Sequence, residues 1–184
     1  LRSRFGENNV FFVDPTELFV NDLLLFDLHN PVVVSPDKGA NARADALAQE
    51  LGARRYYIDK DRKEVVNVSI VGSRGNVEGC DAIMVDDMAD TLGTAAIAAE
   101  LVRSKGASRV FFYAAHPVVS GPAWERLNTL IDRKIVDRIG FGHTIARTAD
   151  AACFAQQHGS DIADRIHFLG VEDILYRHVA EVIA

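Results

Sequence analysis

The sequence predicts an α/β fold with a mainly parallel sheet flanked by helices on both faces. Two observations carry the prediction. Short apolar runs alternate with helix-forming segments along most of the chain, joined by short links. Residues 81–94, Asp-Ala-Ile-Met-Val-Asp-Asp-Met-Ala-Asp-Thr-Leu-Gly-Thr, then set two carboxylates directly after an apolar run and shortly before a strong helix former. In an open parallel sheet, the carboxyl end of a strand is where ligands bind.

Taken in order, residues 1 to 9 are polar and read as an irregular arm, followed by a short apolar run from Val10 to Val13. Asp14-Pro15-Thr16 reads as a helix start, with an apolar face from Thr16 to Phe26. Pro31 breaks the chain, and Val32-Val33-Val34 reads as a buried strand that ends in the turn Ser35 to Gly39. Ala40 to Leu51 is a helix closed by Gly52. Arg55 to Ile58 is a strand, Asp59 to Glu64 a charged segment, and Val65 to Val71 an alternating strand. A loop from Gly72 to Gly79 leads to the strand Ala82 to Val85. The helix Thr94 to Ser104 ends at Gly106. Arg109 to Ala115 is a strand, with His116-Pro117 marking its end. A helix from Gly121 to Ile131, a strand from Ile135 to Phe141 and a helix from Thr148 to His158 follow. Arg165 to Leu169 is the last strand and Val171 to Ile183 the last helix.

The chain has 184 residues, enough for one domain (1–184) with a full core. Its formal charge of −6 and lack of a basic run argue against binding nucleic acid or a membrane surface. No apolar stretch approaches the ~20 residues of a membrane span, and no signal peptide is expected. Cys80 and Cys153 are far apart and in no metal-like spacing, so both are expected to be buried, reduced thiols of a cytoplasmic protein. The opening at Leu1, within polar sequence, reads as part of something longer.

The loop at 86–94 suits a phosphorylated sugar. A helix N-terminus offers free N–H groups and the positive end of the helix dipole to a phosphate. Gly93 lets the backbone come close, and Thr91 and Thr94 can add hydroxyl donors. Asp86 and Asp87 can accept from sugar hydroxyls or hold Mg²⁺. A helix cap beside a solvated acidic loop is the plainer alternative, but adjacent carboxylates after a buried strand are costly without a ligand or cation.

This loop resembles the ribose-5-phosphate loop of phosphoribosyltransferases and of ribose-phosphate diphosphokinases, the PRPP synthetases. Three further motifs fall in the order the synthetases show. Val34-Ser35-Pro36-Asp37-Lys38-Gly39, followed by Arg43, resembles their Ser-Pro-Asp-Xaa-Gly segment. Ile58-Asp59-Lys60-Asp61-Arg62 is similar to their catalytic loop. His116-Pro117-Val118-Val119-Ser120-Gly121-Pro122-Ala123 resembles a segment that identifies the family without a known catalytic role. Read alone, Asp37 is more readily a turn cap, and the mixed-charge run a solvated loop. The departures are Lys38, Asn41 and Ala42 around the Ser-Pro-Asp segment, the loop from Gly72 to Gly79, and Gly142-His143-Thr144-Ile145.

The resemblance covers Val10 to Ala184 and implies a type I phosphoribosyltransferase-like fold, the carboxyl-terminal domain of such a subunit. It implies the reaction of ribose 5-phosphate with ATP to give PRPP and AMP. Asp90, Thr91, Leu92, Gly93 and Thr94 would form the 5-phosphate cradle, and Asp86 and Asp87 would hold the ribose hydroxyls. Asp37 would help place Mg²⁺, and Lys60 and Arg62 would neutralise the transferring diphosphate. It also implies a homo-oligomer, dimers assembled into hexamers. His29, in Asp27-Leu28-His29, imitates the family's metal motif but falls at a helix end, and is expected to be no ligand. The rival readings are a type I phosphoribosyltransferase, a non-catalytic regulatory paralogue, and a plain nucleotide-binding sheet. Gly72, Gly75 and Gly79 fit no glycine-rich phosphate-loop spacing.

Overall fold

The computed structural model describes residue 4 and residues 12–58, 76–158 and 164–183. The expected strand Val65 to Val71, the residues Lys60 and Arg62, the first half of the loop Gly72 to Gly79 and nearly all of the amino-terminal arm lie outside the described residues. The valine run becomes β1 (Val32–Ser35), preceded by helix α1 (Thr16–Leu23). Asp14 starts α1, accepting from the Thr16 N–H at 2.9 Å and the Thr16 hydroxyl at 2.6 Å. A 3₁₀ turn (Lys38–Ala40) leads into α2 (Asn41–Glu50), and β2 (Arg54–Tyr57) follows. Then come β3 (Asp81–Ala89), α3 (Gly93–Ser104), β4 (Arg109–Pro117), α4 (Ala123–Asp132), β5 (Arg138–Gly142), α5 (Thr148–His158), β6 (Ile166–Leu169) and α6 (Glu172–Ile183). The six described strands form one sheet in the order β2-β1-β3-β4-β5-β6, with every pairing parallel.

Alternation along the strands sorts the core onto the two faces of this sheet. Val32, Val34, Ala82, Met84, Val110, Phe112, Ile139 and Phe141 face one way, against α3, α4 and Phe154 of α5. Val33, Ile83, Val85, Phe111 and Tyr113 face the other, against Phe19 and Leu23 of α1 and Ala44, Leu47 and Ala48 of α2. Strands covered on both faces read as continuous apolar runs, which is why the sequence marks them so clearly. Among the described residues, no helix is long and apolar enough to cross a membrane.

Several boundaries differ from expectation. The first helix stops at Leu23 rather than Phe26. Leu24 and Leu25 turn outward, while Phe26 packs against Phe111 with centroids 5.5 Å apart. At their carboxyl ends β3 and β4 run four and two residues beyond their expected limits, because each supplies the other's ladder: Asp86 pairs with Ala114, Met88 with His116 and Ala89 with Pro117. β5 begins at Arg138, not Ile135. Lys134 takes a left-handed conformation (φ 53°), and the Ile135 N–H returns to the Leu130 carbonyl at 2.8 Å, a helix exit made without glycine. Gly52, by contrast, closes α2 as expected, at φ 59°. Cys80 is buried, but Cys153 is exposed on α5, because that helix buries only Phe154 firmly.

One buried polar cluster ties α1 to the sheet. Asp22 receives two bonds from Arg138, at 3.0 and 2.6 Å, and one from the Tyr113 hydroxyl at 2.6 Å. Burial works against ionising Asp22, but these donors outweigh it and hold its carboxyl below the usual range. The Tyr113 ring needs space on β5, and Gly140 supplies it: a Cβ there would lie 2.3 Å from a Tyr113 ring carbon. Gly140→Ala should therefore destabilise the chain by about 1–3 kcal/mol through overpacking. In a chain of this size that is a melting-temperature fall of roughly 2–4 °C per kcal/mol, measurable by circular dichroism.

Candidate functional site

Asp86 and Asp87 lie within the last turns of the β3 ladder, not in a loop beyond it. The register explains their setting. β1 pairs with β3 only as far as Met84, so past that point β3 keeps a partner on one side alone. The 3₁₀ turn and the start of α2 occupy the open side. From there Arg43 reaches across, with its guanidinium 3.2 Å from Asp87 and 3.9 Å from Asp86. Asp37 comes from the same turn. Its Oδ1 accepts from the Gly39 and Ala40 N–H groups at 2.8 and 3.2 Å, and the Ser35 hydroxyl donates to its carbonyl at 2.6 Å. Asp37 is thus a turn cap that also faces the acidic pair.

The two carboxyls of the pair are unlike. The Asp86 side chain is 21% exposed and that of Asp87 64%. Burial pushes the Asp86 carboxyl up to about 6, and the hydrogen bond with Asp87 and the charges of Asp87 and Asp37 push it the same way. For Asp87, burial is outweighed by the bond with Asp86 and the charge of Arg43, which hold it below its usual range. Among the described residues, Asp37, Asp86 and Asp87 thus gather about Arg43. Carboxylates so placed can accept from sugar hydroxyls or hold a cation.

The 90–94 loop turns at Leu92, which stands in the left-handed region with φ 62° and ψ 14°. The left-handed residue is thus the leucine and not Gly93, which is the first residue of α3. Leu92 is 5% exposed and packs into the core with Ala95, Ala99 and Leu127. Leu92 offers α3 no side-chain cap, and a helix start leaves its first N–H groups without intrahelical partners. Outside the loop, the Ser120 hydroxyl donates to Asp90, and Arg126 donates to the Thr91 carbonyl at 2.6 Å. The cradle residues Asp90 to Thr94 and the acidic pair thus share the carboxyl end of β3.

His29 lies elsewhere. Its N–H donates to the Asp81 carboxylate at 2.6 Å, and Asp81 opens β3 at the opposite end of the sheet. Sequence reasoning quoted Arg43 without giving it a part. The available signal was its place in the first turn of the helix after Ser35-Pro36-Asp37, at the end of a strand adjoining β3. The contacts of Ser120 and Arg126 were missed, since nothing local ties a residue at 126 to one at 91.

The parallel sheet flanked by helices defines an α/β domain, and carboxylates at one strand's carboxyl end stand where such sheets bind ligands. Comparison narrows the class. The family model for the phosphoribosyl synthetase-associated domain matches residues 55–163. A ribose-phosphate pyrophosphokinase of Vibrio parahaemolyticus is 43% identical over 136 residues, covering 72% of this chain and 43% of that one. One from Wolinella succinogenes is 37% identical over 146 residues, covering 76% and 46%. The crystal structure of phosphoribosylpyrophosphate synthetase from Mycobacterium smegmatis superposes with a TM-score of 0.71 at 28% identity, over 92% of this chain and 50% of that one. The chain belongs to the ribose-phosphate pyrophosphokinase family. It spans less than half the length of the two curated relatives just described.

The raised Asp86 carboxyl has a signed consequence. The fold favours its neutral form, so its contribution to stability is present below the ordinary value of 3.8 and is lost as pH rises through about 6. Asp87 contributes in the opposite sense, and its share is lost only as pH falls below that ordinary value, outside this window. In ligand-free protein, the melting temperature of Asp86→Asn relative to wild type should rise between about pH 4 and pH 6.5. A difference that stays flat across that range would refute the assignment.

Proposed function

We propose that this chain carries the ribose-5-phosphate site of a ribose-phosphate diphosphokinase that makes PRPP and AMP from ribose 5-phosphate and ATP. The observation behind this reading is the meeting of Asp86 and Asp87 with the Asp90–Thr94 turn at the carboxyl end of β3. The names of the relatives support it. The 5-phosphate is received by the backbone N–H groups at the start of α3 and by the hydroxyls of Thr91 and Thr94. Asp86 and Asp87 accept hydrogen bonds from the ribose hydroxyls. The C1 oxygen then forms a bond to the β-phosphorus of ATP. The bond from that phosphorus to the α–β bridging oxygen breaks, AMP leaves, and the hydroxyl proton passes to solvent. Lys60 and Arg62, by their resemblance to the family's catalytic loop, neutralise the diphosphate as charge develops.

Mg²⁺ suits the chemistry of the donors, since Asp37, Asp86 and Asp87 gather about Arg43. Among the described residues, no three acidic, histidine or cysteine side chains converge as a closed cage. Mg²⁺ would therefore be shared by Asp37 or the acidic pair with water and substrate phosphates, the way this ion is usually held. It would supply charge neutralisation on the transferring group. We further read the protein as cytoplasmic and as a homo-oligomer of dimers assembled into hexamers, following the family. The adenine of ATP would rest mainly on sequence outside this chain.

Isothermal calorimetry with ribose 5-phosphate is the test. Wild type should bind it, and Asp86→Ala or Asp87→Ala should weaken binding about tenfold or more, as expected when a partner group is left unpaired. The circular dichroism spectrum should not change. Failure of the wild-type chain to bind ribose 5-phosphate, or equal affinities in the variants, would reject the site. AMP release by residues 1–184 alone should stay at background, because positioning ATP supplies much of such a rate.

A further inference from the structure

The segment after β4 has no part in the chemistry above, yet it follows the 90–94 loop almost residue by residue. The Val119 N–H donates to the Ala89 carbonyl at 2.8 Å, and the Ser120 N–H to the Asp90 carbonyl at 3.1 Å. The Ser120 hydroxyl donates to the Asp90 side chain. Arg126, in the first turns of α4, continues the series by donating to the Thr91 carbonyl at 2.6 Å. Its guanidinium also lies over Gly93, where an added Cβ would stand 3.4 Å from Nη1.

The effect on the loop follows from peptide geometry. In a trans peptide the C=O and the next N–H point in opposite directions. With the Thr91 carbonyl held toward Arg126, the Leu92 N–H is turned to the other side of the loop. The left-handed backbone of Leu92 then sets the direction in which α3 begins. A fixed donor array at a helix N-terminus is what an anion needs, and a loop free to rotate about Thr91 would present it only part of the time.

We propose that Arg126 is a positioning residue for the phosphate loop, with Ser120 as its support. Through the Thr91 carbonyl it aims the backbone N–H groups of residues 92–94 at the 5-phosphate. The proposal rests on the reading of this loop as a ribose-5-phosphate site. It gives the family-marking Val119 to Ala123 segment a task, which is to hold one wall of the cradle from the neighbouring strand. Arg126 acts through the loop and is not itself a catalytic residue.

Amide resonances of Leu92, Gly93 and Thr94 report on the proposal directly. They would be followed in wild type, Arg126→Ala and Arg126→Lys, first without ligand and then titrated with ribose 5-phosphate and with inorganic phosphate. Arg126→Ala should move these resonances before any ligand is added. It should weaken both ligands about tenfold, the loss expected for one oriented hydrogen bond, while the melting temperature stays within error. Arg126→Lys, which keeps a donor, should recover part of the affinity. If wild type binds both ligands and Arg126→Ala binds them equally well, or leaves the free-state resonances unmoved, the positioning role is overturned and the site reading stands. If wild type binds neither ligand, both are overturned.

Discussion

The pairing of β3 with β4 is the constraint on which the candidate site depends. Both strands are nine residues long, while their outer neighbours have four or five. Their ladder continues past the point where β1 has stopped at Ser35, and Pro36 cannot extend that strand because it has no N–H to give. The unequal lengths create a notch. β3 is supported from the β4 side and open toward β1, and the notch is filled by polar groups: Asp37, Arg43 and the acidic pair. A shorter β4 would leave Asp86 on a loose loop, solvated and ordinary. The extended ladder instead holds it half-buried beside two other carboxylates.

The two ends of the sheet handle charge differently. At the amino end, buried Asp81 takes the Arg109 guanidinium, with one bond at 2.9 Å, together with the His29 N–H. Arg109 also donates to the Asp27 carbonyl. Asp22, Tyr113 and Arg138 likewise close on one another. These clusters match donors to acceptors, which is what a buried charge requires if it is not to destabilise the fold. At the carboxyl end, among the described residues, Asp37, Asp86 and Asp87 gather about Arg43, and Leu92 gives α3 no side-chain cap. The closed clusters serve stability, whereas carboxylates gathered at the carboxyl end of a parallel strand stand where such sheets bind ligands.

The sheet, its parallel direction and the acidic pair were legible because buried parallel strands announce themselves as unbroken apolar runs. Glycine marked the end of α2 for a sound reason, since Gly52 adopts the left-handed conformation a helix exit asks for. The misread ends of β3 and β4 share one cause. Asp86-Asp87 and His116-Pro117 look locally like strand ends, and only their mutual pairing keeps both segments extended. Lys134 and Leu92 were invisible for another reason: each takes a conformation that local rules reserve for glycine, and at Leu92 burial of the side chain overrides the rule. Arg43 was in plain view, but its reach across the notch follows from the register of β1 against β3, which no single segment encodes.

Leu92 also bears on why the loop is built with a leucine. Holding a branched residue in the left-handed region costs on the order of 1–3 kcal/mol. Burying its side chain against Ala95, Ala99 and Leu127 returns a similar amount, about 1.5–3 kcal/mol. The two terms nearly cancel in the folded state, but they do not cancel in their effect on alternatives. Any rotation of the loop out of the left-handed turn would relieve the strain only by withdrawing the side chain from the core. A glycine at this position would carry neither the strain nor the anchor, and the loop would sample many conformations. With leucine, the turn is locked before a ligand arrives. The ordering cost of the turn is then met during folding. Gly93, freed from making the turn, lies beside the guanidinium of Arg126, the group that bonds the loop from its other side.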